Sequence, residues 1–332
     1  MRKMTASAGL VAILAGGMAV AQQRERLPAE CRQPLLQCLM APDRQSCVTR
    51  LVPSLPPQCR DSINRAGIDR AGPPAAGTTQ LSYGTDEKQR LDFTPAVNAA
   101  GPAPVLLFVH GGGWIIGDKR TGTGAKDEYY SAKGWAVASV NYRLVPQATV
   151  EQQAADIASA VAYIRSNAAR LHVDPDRIVL MGHSAGAYLV ALVGTDTRYL
   201  KAAGIPLGAI RGDILLDGAG YDVGQQMAEP GNRVMSMYEQ AFSKDPKRQT
   251  LLSPISYTAA PNVAHWLILP VDSRRDSTAQ SQALAAKLRA SGTQTTTVTP
   301  VPNSTHGKLN EQLGTKGDFA TGEVDKFLAG LR

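Results

Sequence analysis

The sequence predicts an α/β domain, a mostly parallel sheet covered by helices on both faces, preceded by a small disulfide-rich helical module. Three observations carry this reading. Short continuous apolar runs alternate with helical patterns from residue 79 onward, and such alternation builds parallel sheets flanked by helices. The runs lack the polar alternation of half-exposed strands, as expected of strands buried on both faces. All four cysteines lie in the first 59 of 332 residues, which separates that region from everything after it.

The opening residues combine a basic start, Arg2 and Lys3, with a short apolar stretch and the triplet Ala19-Val20-Ala21. This pattern predicts a secretory leader over residues 1–21, cleaved before Gln22, and an exported chain, periplasmic or released. The apolar run is broken by glycines and shorter than the roughly 20 residues a membrane span needs, so no stable span is expected after cleavage. A net charge of +7 without any dense Lys/Arg run favours solubility or contact with anionic surfaces and leaves nucleic-acid binding unsupported, so no nucleic-acid partner is expected.

In an oxidising compartment Cys31, Cys38, Cys47 and Cys59 should form two disulfides within a helical module over residues 22–65. Their spacings do not match a zinc site. Cys31 and Cys38 share a helix face at a seven-residue spacing, and nested bridges suit a helical hairpin, so Cys31–Cys59 and Cys38–Cys47 are the expected pairs. Residues 66–78, rich in Gly, Pro and Ala, read as a linker to the domain spanning 79–332.

Within that domain "TQLSYG" and "RLDFTPA" suggest an opening hairpin. The runs "VLLFVHG", "WAVASVNYRL", "DRIVLMGHS", "DILLDGAG", "HWLILPVD" and "QTTTVTPVP" follow as strands. Helical spacing marks residues 149–171, 185–196, 277–292, with Gly292 as a stop, and 322–331. In sheets of this kind reactive residues gather beyond the carboxyl ends of the strands.

The sequence Gly182-His183-Ser184-Ala185-Gly186 spells G-x-S-x-G where a buried strand gives way to a helix. The five-residue pattern alone arises by chance in roughly one such chain in six, so its position carries the argument. A second strand ends in His110-Gly111-Gly112-Gly113-Trp114. Glycines there let backbone N–H groups face a developing oxyanion, with the N–H of Ala185 as the remaining donor. A phosphate loop is excluded because no Lys-Ser/Thr follows and the glycines are not spaced G-x-G-x-x-G. His110 is expected to order this loop.

A serine hydroxyl needs a base. Of the histidines after Ser184, His265 lies at the amino end of a strand, whereas His306 follows the last strand in a polar loop, so His306 is the expected base. The acid should follow the preceding strand, within "LPVDSRRDS", which offers Asp272 and Asp276; spacing leaves both open. Trp114, Tyr142 and His183 are candidate pocket residues, and Trp114 reads equally as plain core. The insertion at about 222–256, with Met227, Met235, Met237, Tyr238 and Phe242, reads either as a cap over the pocket or as helices that only pack down.

The His-Gly-Gly-Gly-Trp segment, Asn141-Tyr142-Arg143-Leu144, the Gly-His-Ser-Ala-Gly turn and the late Ser304-Thr305-His306-Gly307 resemble α/β-hydrolase esterases of the hormone-sensitive-lipase and feruloyl-esterase-like groups, arylformamidase-like members included. The resemblance covers roughly residues 79–332. It implies the α/β-hydrolase fold, Ser184 as nucleophile, His306 as base, Gly112, Gly113 and Ala185 as oxyanion donors, a small-molecule ester as substrate, and no metal or organic cofactor. Relatives commonly carry His-Gly-x-x-Asp at the acid strand, where this chain has Val271-Asp272-Ser273-Arg274-Arg275-Asp276. Similarity to members with Arg-x-Asp-Ser favours Asp276 over Asp272. The expected activity is an exported serine carboxylesterase acting through an acyl-enzyme. The alternatives are an amidase, formamidase or peptidase on the same triad, or a non-catalytic binding protein.

Overall fold

A computed structural model describes residues 77–97, 99–120, 124–229 and 235–331, together with residues 51–60, Glu30, Cys31, Pro34, Cys47 and Ala75. The proposed leader and most of the proposed linker lie outside the described residues. Eight strands form one sheet: β1 (Thr79–Ser82), β2 (Arg90–Thr94), β3 (Ala103–Val109), β4 (Ala136–Val140), β5 (Val173–His183), β6 (Ile210–Leu216), β7 (His265–Leu269) and β8 (Thr295–Val298). Their spatial order is β1-β2-β4-β3-β5-β6-β7-β8. The first two strands pair antiparallel, with Thr79 opposite Phe93, and β2 joins β4 antiparallel. Every later pairing is parallel.

The unbroken apolar runs are explained by burial on two sides. On β3, Val105, Leu107 and Val109 enter one core cluster while Leu106 and Phe108 enter the other. On β7, Trp266 and Ile268 separate from Leu267 and Leu269 in the same way. Strand side chains alternate between faces, so a strand with helices on both sides is apolar at nearly every position. Each fully buried Leu, Ile or Val contributes about 1.5–3 kcal/mol relative to exposure.

The described helices outside the N-terminal region are α1 (Gly124–Ala132), α2 (Val150–Ser166), α3 (Ala168–Leu171), α4 (Ala185–Thr195), α5 (Arg198–Ala202), α6 (Val223–Ala228), α7 (Met235–Phe242), α8 (Pro246–Leu251), α9 (Arg275–Ala290), α10 (His306–Gln312) and α11 (Phe319–Gly330). Helix α2 opens on a capping box in which Thr149 accepts from the Gln152 N–H while the Gln152 side chain accepts from the Thr149 N–H. Helix α9 stops before Gly292, whose φ of +80° is the left-handed turn a glycine makes at little cost. The insertion between β6 and β7 is built from α6, α7 and α8.

Cys31 and Cys59 are bridged, as expected, with both residues fully buried. The second expected pair includes Cys38, which lies outside the described residues; Cys47 is disulfide-bonded. No described helix is long and apolar enough to cross a membrane.

Candidate active site

Strand β5 delivers Ser184 to the start of α4 with φ 57° and ψ −122°, a conformation uncommon for a residue with a side chain. The two flanking glycines make this turn possible. A Cβ on Gly182 would lie 2.2 Å from the Gly186 carbonyl oxygen, and one on Gly186 would lie 2.1 Å from the Val109 oxygen. Backbone meets backbone at both places, so α4 can approach β3 and β5 this closely only without side chains. The Ser184 N–H donates to the Leu216 carbonyl at 3.0 Å, tying the turn to the end of β6.

The glycine loop after β3 lies against this turn. A Cβ on Gly111 would fall 2.9 Å from the Ser184 Cβ, and Gly112 and Gly113 have φ of +115° and +58°. Behind the loop, the His110 ring stacks on Tyr142 at 4.3 Å and its Nδ1–H donates to the Gly111 carbonyl at 2.6 Å. Burial lowers the His110 pKa to about 4, so the ring is neutral and orders the loop as expected. Tyr142, read from sequence as a pocket candidate, is fully buried and donates its hydroxyl hydrogen to the His110 carbonyl at 2.9 Å. It braces the loop from behind instead of lining a pocket, because its strand end points under the glycines. The rest of the Asn-Tyr-Arg segment is equally structural: Asn141 donates to Asp118 at 3.0 Å, and Arg143 clamps Asp156 through Nε at 2.9 Å and Nη2 at 2.7 Å.

His306 begins α10, and its Nδ1 lies 2.6 Å from Asp217 Oδ2. This is a correction to the expected acid. Asp272 is exposed and joins the neighbouring strand through its main-chain N–H to Val301, while Asp276 accepts from Arg274 Nη2 at 2.9 Å. Asp217 follows β6 directly, one strand earlier than expected. Its φ of +46° lets the side chain cross the carboxyl end of β7, and the Asp-Gly step at 217–218 is of the residue types that tolerate such a backbone. A carboxylate at the tip of a buried strand was the available signal in "DILLDGAG".

Both oxygens of the Asp217 carboxylate accept hydrogen bonds. Oδ1 accepts from the Val271 N–H at 2.9 Å, and Oδ2 accepts from Arg274 Nη1 at 2.8 Å as well as from His306. Burial alone would raise its pKa, but the Arg274 charge, the His306 bond and the Val271 N–H together hold it well below the ordinary carboxylate range. Arg274 Nη1 also lies 2.8 Å from His306 Nδ1. An ionised carboxylate can only accept, so the 2.6 Å contact requires the hydrogen on His306 Nδ1, and the guanidinium, which can only donate, directs its own hydrogen to the carboxylate. That arrangement leaves the lone pair of His306 on Nε2, the form a general base requires.

His183, the other histidine of the turn, is buried with its ring centroid 4.5 Å from that of His306. Its Nε2–H donates to the His306 carbonyl at 2.9 Å, and burial, followed by the neighbouring His306, lowers its pKa well below the usual value. A neutral His183 therefore holds the backbone of His306. Trp114 has φ 65° and is buried beneath the insertion, with Phe242, Tyr238 and Tyr188 edge-on at 4.7, 5.1 and 5.3 Å. Met237 completes the cover: a Cβ on Gly113 would lie 1.9 Å from its Sδ. Among the described residues no group of three or more His, Cys, Asp or Glu could hold a metal ion.

The site thus combines a strained serine at a helix start, an adjacent glycine loop, and a histidine paired with a buried ionised carboxylate. Chemically this set can activate a hydroxyl and receive negative charge on backbone N–H groups.

Comparisons with known proteins bear on the fold. Residues 91–209 match the BD-FAE family model. The chain is 39% identical over 111 residues to a probable isoprenylcysteine alpha-carbonyl methylesterase of Arabidopsis thaliana, covering 33% of this chain and 23% of that protein. It is 29% identical over 246 residues to Esterase LipQ of Mycobacterium tuberculosis, covering 70% of this chain and 57% of that one. The matches therefore span from about a quarter to just over half the length of these relatives. Among solved structures, esterase 2 of Thermogutta terrifontis, phosphonylated by sarin, superposes with a TM-score of 0.65 at 20% identity, covering 78% of this chain and 96% of that one. Esterase B of Lactobacillus rhamnosis gives 0.64 at 18% identity, over 82% and 91%. The fold is that of the α/β hydrolases.

Proposed function

We propose that this chain is a serine hydrolase of carboxylic esters, working through an acyl-enzyme. The observation that carries the reading is the 2.6 Å bond from His306 Nδ1 to a buried, ionised Asp217; such a pair has a clear use beside a serine in a glycine-flanked turn. Ser184 Oγ attacks the ester carbonyl as His306 Nε2 takes its proton. Asp217 holds the imidazole and stabilises the imidazolium. The N–H groups of Gly112, Gly113 and Ala185 receive the oxyanion. The Ala185 N–H is the first of its helix and has no intrahelical acceptor, so it is available for that task. The proton passes from His306 to the leaving alcohol, and a water, deprotonated by the same nitrogen, releases the acid and restores Ser184.

The named relatives are esterases, which favours ester over amide bonds for this site. The substrate is a small-molecule ester. The chain is exported, its leader at residues 1–21 removed, with the cysteine module at 22–65 and the linker at 66–78 preceding the catalytic domain.

Hydrolysis of p-nitrophenyl acetate and butyrate by the full mature chain tests the proposal, beside Ser184→Ala, His306→Ala and Asp276→Asn. Turnover should fall by about 10⁴-fold or more in the first two variants and by less than about threefold in the third. A wild-type chain as inert as Ser184→Ala would overturn the ester reading.

A further inference from the structure

The cysteine module has no place in the chemistry above, yet it packs on the insertion that covers the site. A short 3₁₀ turn, Val52–Ser54, lies against α7. Arg60 donates from Nη1 to Gln240 Oε1 on that helix at 3.0 Å. Gln240 in turn donates its amide to the Ser236 carbonyl at 3.1 Å, so the contact reaches the first turn of α7. Cys31, Val52, Leu55 and Cys59 belong to the same buried cluster as Trp114, Met237, Tyr238 and Phe242.

These contacts form a continuous path to the oxyanion loop. The Cys31–Cys59 bridge is fully buried and immediately precedes Arg60 in the chain. Arg60 holds Gln240, and three residues earlier on the same helix Met237 rests on Gly113. Two of the three aromatic side chains edge-on to Trp114, Tyr238 and Phe242, come from the same α7. A helix of eight residues keeps its place by tertiary contacts and not by intrinsic helicity. Loosening its outer side would therefore move the side chains on its inner side.

We propose that the disulfide-bonded N-terminal segment is the outer brace of the cap and that, through Arg60 and Gln240, it sets how long an acyl group the site accepts. The proposal rests on the ester-hydrolase reading for its substrate class, while the bracing itself does not. With the brace in place Met237 and the aromatic group stay closed over the glycine loop, and short acyl groups are favoured. With the brace released α7 moves outward and longer chains enter.

The test uses the full mature chain, wild type beside Arg60→Ala and the double variant Cys31→Ser/Cys59→Ser. Hydrogen exchange over residues 235–242 and the ratio of kcat/KM for p-nitrophenyl decanoate to that for the acetate are measured together. Arg60→Ala should quicken exchange in this segment and raise the ratio about threefold, the effect of one exposed hydrogen bond. The double variant should raise it roughly tenfold. Should the double variant fail to fold, Arg60→Ala decides alone. Unchanged exchange and an unchanged ratio in Arg60→Ala overturn the brace. Faster exchange with an unchanged ratio overturns its role in specificity. A wild-type chain that cleaves neither ester sinks the hydrolase reading instead, and faster exchange in Arg60→Ala would still support the brace.

Discussion

Two aspartates four residues apart on and just beyond β6 are both buried, and they are held in opposite states. Asp213 lies mid-strand, opposite Leu180 and Trp266, with a Cβ on Gly194 placed only 1.9 Å from its Oδ2. Neither of its oxygens has a hydrogen-bond partner among the described residues, and burial raises its pKa well above the ordinary value. Asp217 is equally buried but ionised, with three donors on its two oxygens. The difference lies in what each place on a strand can supply. In mid-strand the main-chain N–H groups are engaged in the ladder, and the side-chain neighbours are apolar. At the carboxyl end the ladder has run out, a main-chain N–H such as that of Val271 is available, and loops can bring in Arg274 and His306. Burial sets the cost of a charge, and the strand end decides whether it can be met.

The sharpest way to break this comparison is Asp217→Asn. The amide keeps the shape but cannot hold the imidazolium, so kcat on p-nitrophenyl acetate should fall by about 10³–10⁴-fold. A loss no greater than that of Asp276→Asn would return the acid to the β7 turn.

Arg274→Met should come next. It removes the guanidinium from Asp217 while leaving a side chain of similar reach. Because Arg274 is 30% exposed, solvent compensates part of the loss, and a destabilisation of about 1–3 kcal/mol is expected from urea melts at pH 7. The sign with pH follows from the depressed pKa of Asp217. Its contribution is present above the ordinary carboxylate range, where the unfolded chain is also ionised, and is lost as pH falls through the lower folded value. The gap between wild type and Arg274→Met should therefore narrow in acid, and a gap that widens there would contradict the assignment.

Asp213→Asn gives the smallest and most diagnostic change. With a raised folded pKa, the protonated carboxyl costs nothing in ionisation below the unfolded value. It costs progressively more as pH rises above that value, because only the unfolded chain releases the proton. Wild-type stability should thus decline as pH rises above the ordinary carboxylate range, and Asp213→Asn should remove that component. Identical pH slopes in the two proteins would mean that Asp213 is ionised in the fold.

Local residues made much of this molecule legible. The G-x-S-x-G turn could be read because its glycines answer backbone clashes that any chain making this strand-to-helix turn would meet. The strands could be read because burial on two faces leaves few polar residues in a run. His306 followed from its place after the last strand. The carboxylate that pairs with His306 was missed, since two aspartates in "LPVDSRRDS" filled the expected turn and drew the reading away from Asp217 at the tip of β6. Tyr142 was misplaced for a related reason: sequence shows that it follows a strand, and only the packed sheet shows that its ring goes behind the glycine loop onto His110.

The sequence by itself determined the elements, the order of the strands' apolar runs and the glycine-flanked turn at Ser184, because those are set by local sterics and by which side chains leave water. Tertiary structure decided which carboxylate meets His306, which histidine steadies it, and that the cysteine segment rests on α7. Those are contacts between residues as far apart as 89 and 180 positions, and they depend on how strand ends and helices converge in space, which no local spacing encodes.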